Sequence, residues 1–316
     1  MHDLNRREFI QRATTTGVAL SLPAMMIGPK SAAAAVNPSG KLMPTRPIPS
    51  SGELLGVIGT GTSRVYSEDP AGGGNVPKTL LKTFIEAGGN FIDIKNTAEQ
   101  NIVGWLKEIG LYDKMFMGSS VGNRHFITGP NQATEEMQES LNTQGRKSLD
   151  LVQARNMVDL ETRWPIMRAW KDAGKVRHLG VTITMSEEQT KLAAFMKKER
   201  PDFISINYSP LETAAEERLL PMATDLGIAT LINRPFQNGR FFTRVSNDTL
   251  PEWASEFDCE SWAQFSLKYI LSNPNVTCIM TETSNPDHLR DNLKASFGRL
   301  PDKNQLKRIR DFMTWV

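Results

Sequence analysis

A chain of 316 residues with 39% apolar and 23% charged side chains has the composition of an ordinary globular protein, and is long enough to bury a sizeable core. The formal net charge is +2, yet residues 1–35 hold four basic side chains (Arg6, Arg7, Arg12, Lys30) against two acidic ones (Asp3, Glu8), so the remainder is neutral, with 33 of each sign. No run of Lys and Arg survives to form the basic stripe of a nucleic-acid reader, and no nucleic-acid partner is expected. The two cysteines, Cys259 and Cys278, fall in a predicted helix start and a predicted buried strand, which reads as two buried thiols and not as a disulfide framework.

Residues 5–35 read NRREFIQRATTTGVALSLPAMMIGPKSAAAA. The pair Arg6–Arg7, then Phe9 and Ile10, a weakly apolar run and an alanine tract have the layout of a secretory signal of the twin-arginine type. Residues 13–28 are too short and too rich in threonine to span a bilayer. The expectation is a signal at 1–35 that engages the twin-arginine export machinery, cleaved after Ala32–Ala35, and a mature protein in the periplasm or otherwise exported, with no stable membrane span. The segment 36–52, rich in Pro, Ser and Gly, is expected to be an extended linker, and 53–316 the folded domain.

From residue 53 onward, strand-like apolar runs appear at 54–62, 91–94, 115–120, 149–155, 178–182, 203–208, 228–235 and 277–282. Continuous apolar character of this kind fits strands covered on both faces. Amphipathic stretches separate them, such as KTLLKTFIEAGG (78–89), whose paired glycines stop the helix, ERLLPMATDLG (217–227) and PDHLRDNLKASFG (286–298), with proline at its start and glycine at its end. Eight strands alternating with helices over this length have the rhythm of an α/β (β/α)8 TIM barrel. A doubly wound open sheet would also alternate, but GTGTSR (59–64) lacks the third glycine of a dinucleotide fingerprint.

In such a barrel the residue leaving the C-terminal end of a strand faces the active site. Asp93, Ser120 and Arg155 stand at three such exits, in NFIDIKN, MFMGSSVG and LDLVQARN.

The order of the quoted segments resembles the aldo/keto reductase family. GELLGVIGTGTSRVY looks like the family's first strand and loop, and NFIDI with AEQNIVGWL like its second strand and helix. SLNTQGRKSLDLVQARNMVD is similar to its "SLxxLGxxxLDLxxxHxxD" stretch, and KVRHLGVTI, INYSPLE, INRPFQNGR and TCIMTETSNPDHLRDNL follow in the family's order. The resemblance implies an extended nicotinamide cofactor, NADP or NAD, across the barrel mouth, and hydride transfer to a small carbonyl compound. In the family a tyrosine donates the proton, assisted by a lysine and an aspartate, while a histidine orients the carbonyl. Carried over one position at a time, Asp93 matches the aspartate. The tyrosine position holds Ala98 in a shortened loop, the lysine position Ser120 and the histidine position Arg155. Serine cannot lower a tyrosine's pKa, alanine cannot donate a proton, and an arginine stays protonated at neutral pH. Loss of a general acid costs a factor of about 10² to 10⁴. Conventional carbonyl reduction is therefore expected to be impaired, and a non-catalytic barrel that binds a nucleotide or a small anion is the competing reading.

Lys95 shares Asp93's face if the strand continues, and Tyr66 and His125 lie in loops on the catalytic side. These three are candidate substrate contacts or simply solvated loop residues. The histidines His2, His125, His178 and His288 are scattered, and no metal site is expected. On the cofactor side, RPFQNGR looks like the family's pyrophosphate loop, implying contacts from Arg234, Phe236, Gln237 and Gly239. The helix opened by ETSNP implies phosphate contacts from Thr283 and Ser284, and Asn292 falls where the family's adenine-contacting asparagine lies. Thr182 and Ser205 fall on nicotinamide-contacting positions, where Ser205 replaces a glutamine and the neighbouring Ile183 an asparagine. Tyr208 is a cofactor contact or a core residue. Glu282 replaces a basic residue that meets the 2′-phosphate, and argues against strong preference for the phosphorylated cofactor.

Overall fold

The computed structural model describes residues 40–62, 75–94, 96–122 and 130–315, with backbone alone at Asn75, Asn96, Thr97, Pro130 and Ser186. The expected signal and the candidate contacts Tyr66, Lys95 and His125 lie outside the described residues.

A short antiparallel hairpin comes first, β1 (Thr45–Pro47) paired with β2 (Leu54–Gly56). Eight strands then follow, each parallel to the next: β3 (Ile58–Gly61), β4 (Phe91–Asp93), β5 (Phe116–Val121), β6 (Leu149–Ala154), β7 (Val176–Thr182), β8 (Phe203–Asn207), β9 (Ala229–Asn233) and β10 (Cys278–Thr281). The last pairs back onto the first, Met280 opposite Gly59, and closes the barrel. Six helices cover the strands in turn: α1 (Asn75–Glu86), α2 (Asn96–Glu108), α3 (Pro130–Gln144), α4 (Leu160–Asp172), α5 (Gln189–Glu199) and α6 (Leu219–Asp225). Both α7 (Arg240–Arg244) and α8 (Trp262–Leu271) follow β9, while α9 (Pro286–Lys294) and α10 (Lys303–Trp315) follow β10. This is the (β/α)8 barrel expected from the alternation. Every residue of β5 and of β6 is buried, as expected for strands covered on both faces.

The register of neighbouring strands sorts the barrel interior into layers contributed by alternate strands. Phe91, Leu151, Phe203 and Cys278 form one layer, all fully buried. Two residues further along the same strands come Asp93, Gln153, Ser205 and Met280. Between these two layers lie Gly59, Gly118 and Gly180, with Leu231. The glycines make room for the long side chains around them: a Cβ at Gly118 would meet Asp93 Oδ1 at 3.0 Å, and one at Gly180 would meet Gln153 Cγ at 3.1 Å.

The hairpin closes the opposite end. Ile48 and Leu55 pack beneath Phe91, Phe116 and Phe203 as one buried cluster. Arg46 donates to the carbonyls of Leu271 (2.6 Å), Asn273 (3.1 Å) and Val276, next to the end of α8. Part of the segment expected as a linker thus belongs to the folded body. Its Thr-Arg-Pro run is too short and too proline-rich to read as a strand, and it becomes one through pairing with β2. Cys259 and Cys278 are free and buried, as expected. No helix among the described residues is long and apolar enough to cross a membrane.

Candidate active site

A cleft of about 630 Å3 opens at the C-terminal ends of the strands. Its lowest ring consists of Gly61, Ser120, Thr182 and Asn233, the layer directly above Asp93 and Met280, which form its floor. The connections after β6, β9 and β10 build the walls, and the volume suits a small-molecule or cofactor site.

Asp93, Ser120 and Arg155 all line this cleft. Asp93 is half-buried at the end of β4, and its Oδ1 accepts a hydrogen bond from Gln153 Nε2 at 3.1 Å. Ser120 is 8% exposed near the end of β5. Arg155 opens a single helical turn after β6, in which Asn156 and Met157 adopt left-handed backbone conformations (φ 51° and 53°). That turn is held by the Asn156 N–H, which donates to Thr182 Oγ1 at 2.9 Å, and by Thr184 Oγ1, which donates to Asn156 Oδ1 at 3.1 Å. Non-glycine residues at positive φ cost about 1–3 kcal/mol each and gather at functional sites.

Ala98, which the resemblance sets at the tyrosine position, is a core residue. Only two residues join β4 to α2, and Ala98 in the first turns of α2 is fully buried in the hydrophobic core. Nor does another described tyrosine reach the cleft. Tyr208 and Tyr269 are buried and both donate to Glu216 Oε1, while Tyr112 packs beside Lys107 and Arg146. Burial, the neighbouring Tyr269 and the Glu216 carboxylate push the Tyr208 hydroxyl far above the ordinary tyrosine range. Tyr208 is a core residue.

The cofactor-side positions divide. Thr182, Arg234, Phe236, Gly239, Thr283 and Ser284 line the cleft. Arg234 has φ 51°, and its Nη1 donates to the Thr184 carbonyl at 2.9 Å, tying the loop after β9 to the loop after β7. Gly239 has φ 94° with open space beside its Cα, a backbone a ligand can approach closely. Asn285 caps α9 by accepting from the Asp287 N–H at 2.8 Å, so Thr283 and Ser284 sit at a helix N-terminus.

Three implied contacts lie elsewhere. Ser205, 2% exposed, sits one layer below the cleft surface, where its hydroxyl donates to Gln153 Oε1. Gln237 turns away to Glu212, with Nε2 3.5 Å from its carboxylate. Asn292 is 4% exposed on the inner face of α9. Ser205 and Gln237 are thus engaged with protein, and Asn292 is buried. Asn156, Thr184, Asn233 and Phe242 also line the cleft, although no motif in the sequence marks them. Asn156 was legible as the residue after a strand exit, and Phe242 only from the fold of α7.

A closed parallel barrel with its cleft at the strand exits, a glycine-bearing loop after its seventh barrel strand and a helix N-terminus after its eighth is a TIM barrel with a candidate active site at its C-terminal face. The chain belongs to the aldo/keto reductase family, whose profile it matches over residues 58–313, a family of NAD(P)H-dependent oxidoreductases. It is 28% identical over 177 residues to the aldo-keto reductase YhdN of Bacillus subtilis, a match covering 51% of this chain and about half (53%) of that protein. It is 20% identical over 232 residues to the NADH-specific methylglyoxal reductase of Escherichia coli, covering 63% of this chain and 68% of that one. Among solved structures, the holo form of the aldo-keto reductase AKR11C1 from Bacillus halodurans superposes with a TM-score of 0.70 at 18% identity, covering 85% of this chain and 96% of the other.

Proposed function

We propose that the cleft binds a nicotinamide dinucleotide, with its phosphates against the loop after β9 and the N-terminus of α9, and that carbonyl reduction by the family's tyrosine route is severely weakened. The observation that carries this reading is the composition of one cleft: Gly239, Thr283 and Ser284 line it, whereas no described tyrosine does and Ser120 and Arg155 stand in the lysine and histidine positions. The phosphate end fits the cofactor. The ring end departs from the family, because Ser205 and Ile183 are buried away from the surface. When bound, the nicotinamide supplies a hydride donor or acceptor. The chain's own residues would orient the ring from Thr182 and Asp93 and place the Arg155 guanidinium, a fixed cation and hydrogen-bond donor, beside a carbonyl or an anionic group. Glu282, half-buried in the cleft wall beside Thr283, places a carboxylate where a 2′-phosphate would be repelled, which supports NADH over NADPH.

Fluorescence titration with NADH and NADPH tests the binding, and failure of both to bind removes the reading. Incubation of the same protein with reduced cofactor and a panel of aldehydes separates the two forms of the proposal. Binding without turnover identifies a non-catalytic barrel, a reading favoured by the burial of Ala98, and slow turnover identifies a weakened reductase. Turnover at a rate ordinary for enzymes, about 10 s⁻¹, would remove the claim of impairment. Export by the twin-arginine route is part of the same proposal and is supported by Arg6–Arg7 and the apolar and alanine-rich run behind them. Cell fractionation of the wild type against an Arg6→Lys, Arg7→Lys double variant checks it, and equal distribution of both would remove it.

A further inference from the structure

A chain of hydrogen bonds runs beneath the cleft through three strands of the barrel. Ser205 Oγ on β8 donates to Gln153 Oε1 on β6, and Gln153 Nε2 donates to Asp93 Oδ1 on β4 at 3.1 Å. Gln153 and Ser205 are 1% and 2% exposed, so neither reaches the cleft surface, whereas Asp93 does. The direction of the chain follows from donor and acceptor chemistry. An ionised carboxylate only accepts, so the amide must turn its nitrogen to Asp93. Its oxygen then faces Ser205, whose hydroxyl must donate. The two glycines make room for these side chains: a Cβ at Gly118 would stand 3.0 Å from Asp93 Oδ1, and one at Gly180 3.1 Å from Gln153 Cγ.

We propose that Gln153 is a positioning residue for Asp93, its amide oriented in turn by Ser205, and that the three side chains present one ionised carboxylate in a fixed direction to the ligand in the cleft. A buried amide N–H donated to a carboxylate favours the charged form and removes its rotational freedom. The ligand group such a carboxylate recognises is a hydrogen-bond donor, whether an amide, a hydroxyl or an ammonium. The inference goes beyond the cofactor reading and does not depend on it. The other charged groups lining the cleft among the described residues are Arg155, Arg234 and Glu282. All three are kept constant in the comparison below.

The test uses the full chain with ¹³C-labelled aspartate, following the Asp93 carboxyl signal by NMR as pH is varied and assigning it by its loss in Asp93→Asn. In Gln153→Met, which keeps the length and removes the amide, Asp93 should titrate about one pH unit higher, a tenfold gain in proton affinity. Ser205→Ala should move it the same way by less, because the amide remains but loses its orientation. Gln153→Glu should give two coupled titrations spread over the pair. If Asp93 titrates at the same pH in the wild type, Gln153→Met and Ser205→Ala, the proposal is overturned. Should Gln153→Met fail to fold, Ser205→Ala decides alone, since it only removes an oxygen. NADH titrations across the same pH range give the second readout, in which the pH dependence of affinity should follow Asp93. A wild type that binds no NADH defeats the cofactor reading and leaves the NMR outcome standing.

Discussion

Gln144 Nε2 on α3 donates to Glu99 Oε1 on α2 at 2.7 Å, in a position closed to water. Ser140 Oγ donates to the other carboxylate oxygen at 2.8 Å, and Ser119, next to the cleft residue Ser120, approaches at 3.5 Å. The carboxyl thus knits two helices to the strand that carries one wall of the cleft. Burial raises its pKa, and these three donors offset that only in part, so the folded-state value lies above the ordinary 4.5.

A group whose folded pKa is raised contributes stability that is complete below the unfolded value, and that stability is lost as pH rises through the folded value. Glu99→Gln removes the loss. The melting temperature of the variant relative to wild type, measured by circular dichroism, should rise as pH climbs past the ordinary glutamate value and level off above the folded-state value. A difference that stays flat with pH would refute the argument.

Restoring the family's proton donor by one substitution should fail. Position 98 faces the packed core and not the cleft. Ala98→Tyr is an overpacking change expected to cost about 1–3 kcal/mol. Thermal melts should show the loss, and aldehyde turnover should remain at the wild-type level. A gain in turnover would show that the ring reaches the cleft.

Cofactor choice should respond to a single wall residue. Replacing the Glu282 carboxylate by a guanidinium, Glu282→Arg, converts repulsion of a 2′-phosphate into a paired contact. The ratio of NADPH to NADH affinity should rise by about tenfold or more, equivalent to roughly 1.4 kcal/mol. Fluorescence titration of both cofactors checks this, and an unchanged ratio would place the 2′ position elsewhere.

Arg46→Ala should loosen the floor of the barrel without touching the cleft. It leaves three carbonyls, those of Leu271, Asn273 and Val276, without their guanidinium donor. A cost of about 2–3 kcal/mol is expected, or roughly 3–5 °C in melting temperature for a domain of this size. Arg46→Lys, a single point of charge without the fork, should recover only part of it. Cofactor affinity should stay within twofold, since the hairpin lies at the far end of the barrel.

The barrel was legible because short, mostly apolar runs alternate with amphipathic stretches eight times along the chain, a pattern that survives in a single sequence. Asp93, Ser120 and Arg155 could be found by position alone, since strand exits converge whatever the register. Ser205 shows where position stops being enough. Resemblance placed it on a cofactor contact, but whether a strand residue meets ligand or protein depends on its layer in the barrel and on the length of its neighbours, here Gln153. Gly118 and Gly180 were unremarkable letters in apolar runs until the register placed them under Asp93 and Gln153. The hairpin was missed because Thr45–Pro47 has no strand signal of its own and is held by contacts with residues more than 200 positions away.

The Arg46 contacts also bear on how the chain is ordered from end to end. A barrel has one seam where its first and last strands meet, here β3 against β10, and β2 runs almost directly into β3 while Arg46 grips the residues just before β10. The hairpin therefore acts as a clasp across that seam. A circularly permuted gene that began at β3 would sever the clasp from its strand and should yield a barrel prone to opening there, whereas new ends cut between α5 and β8 would leave the seam shut.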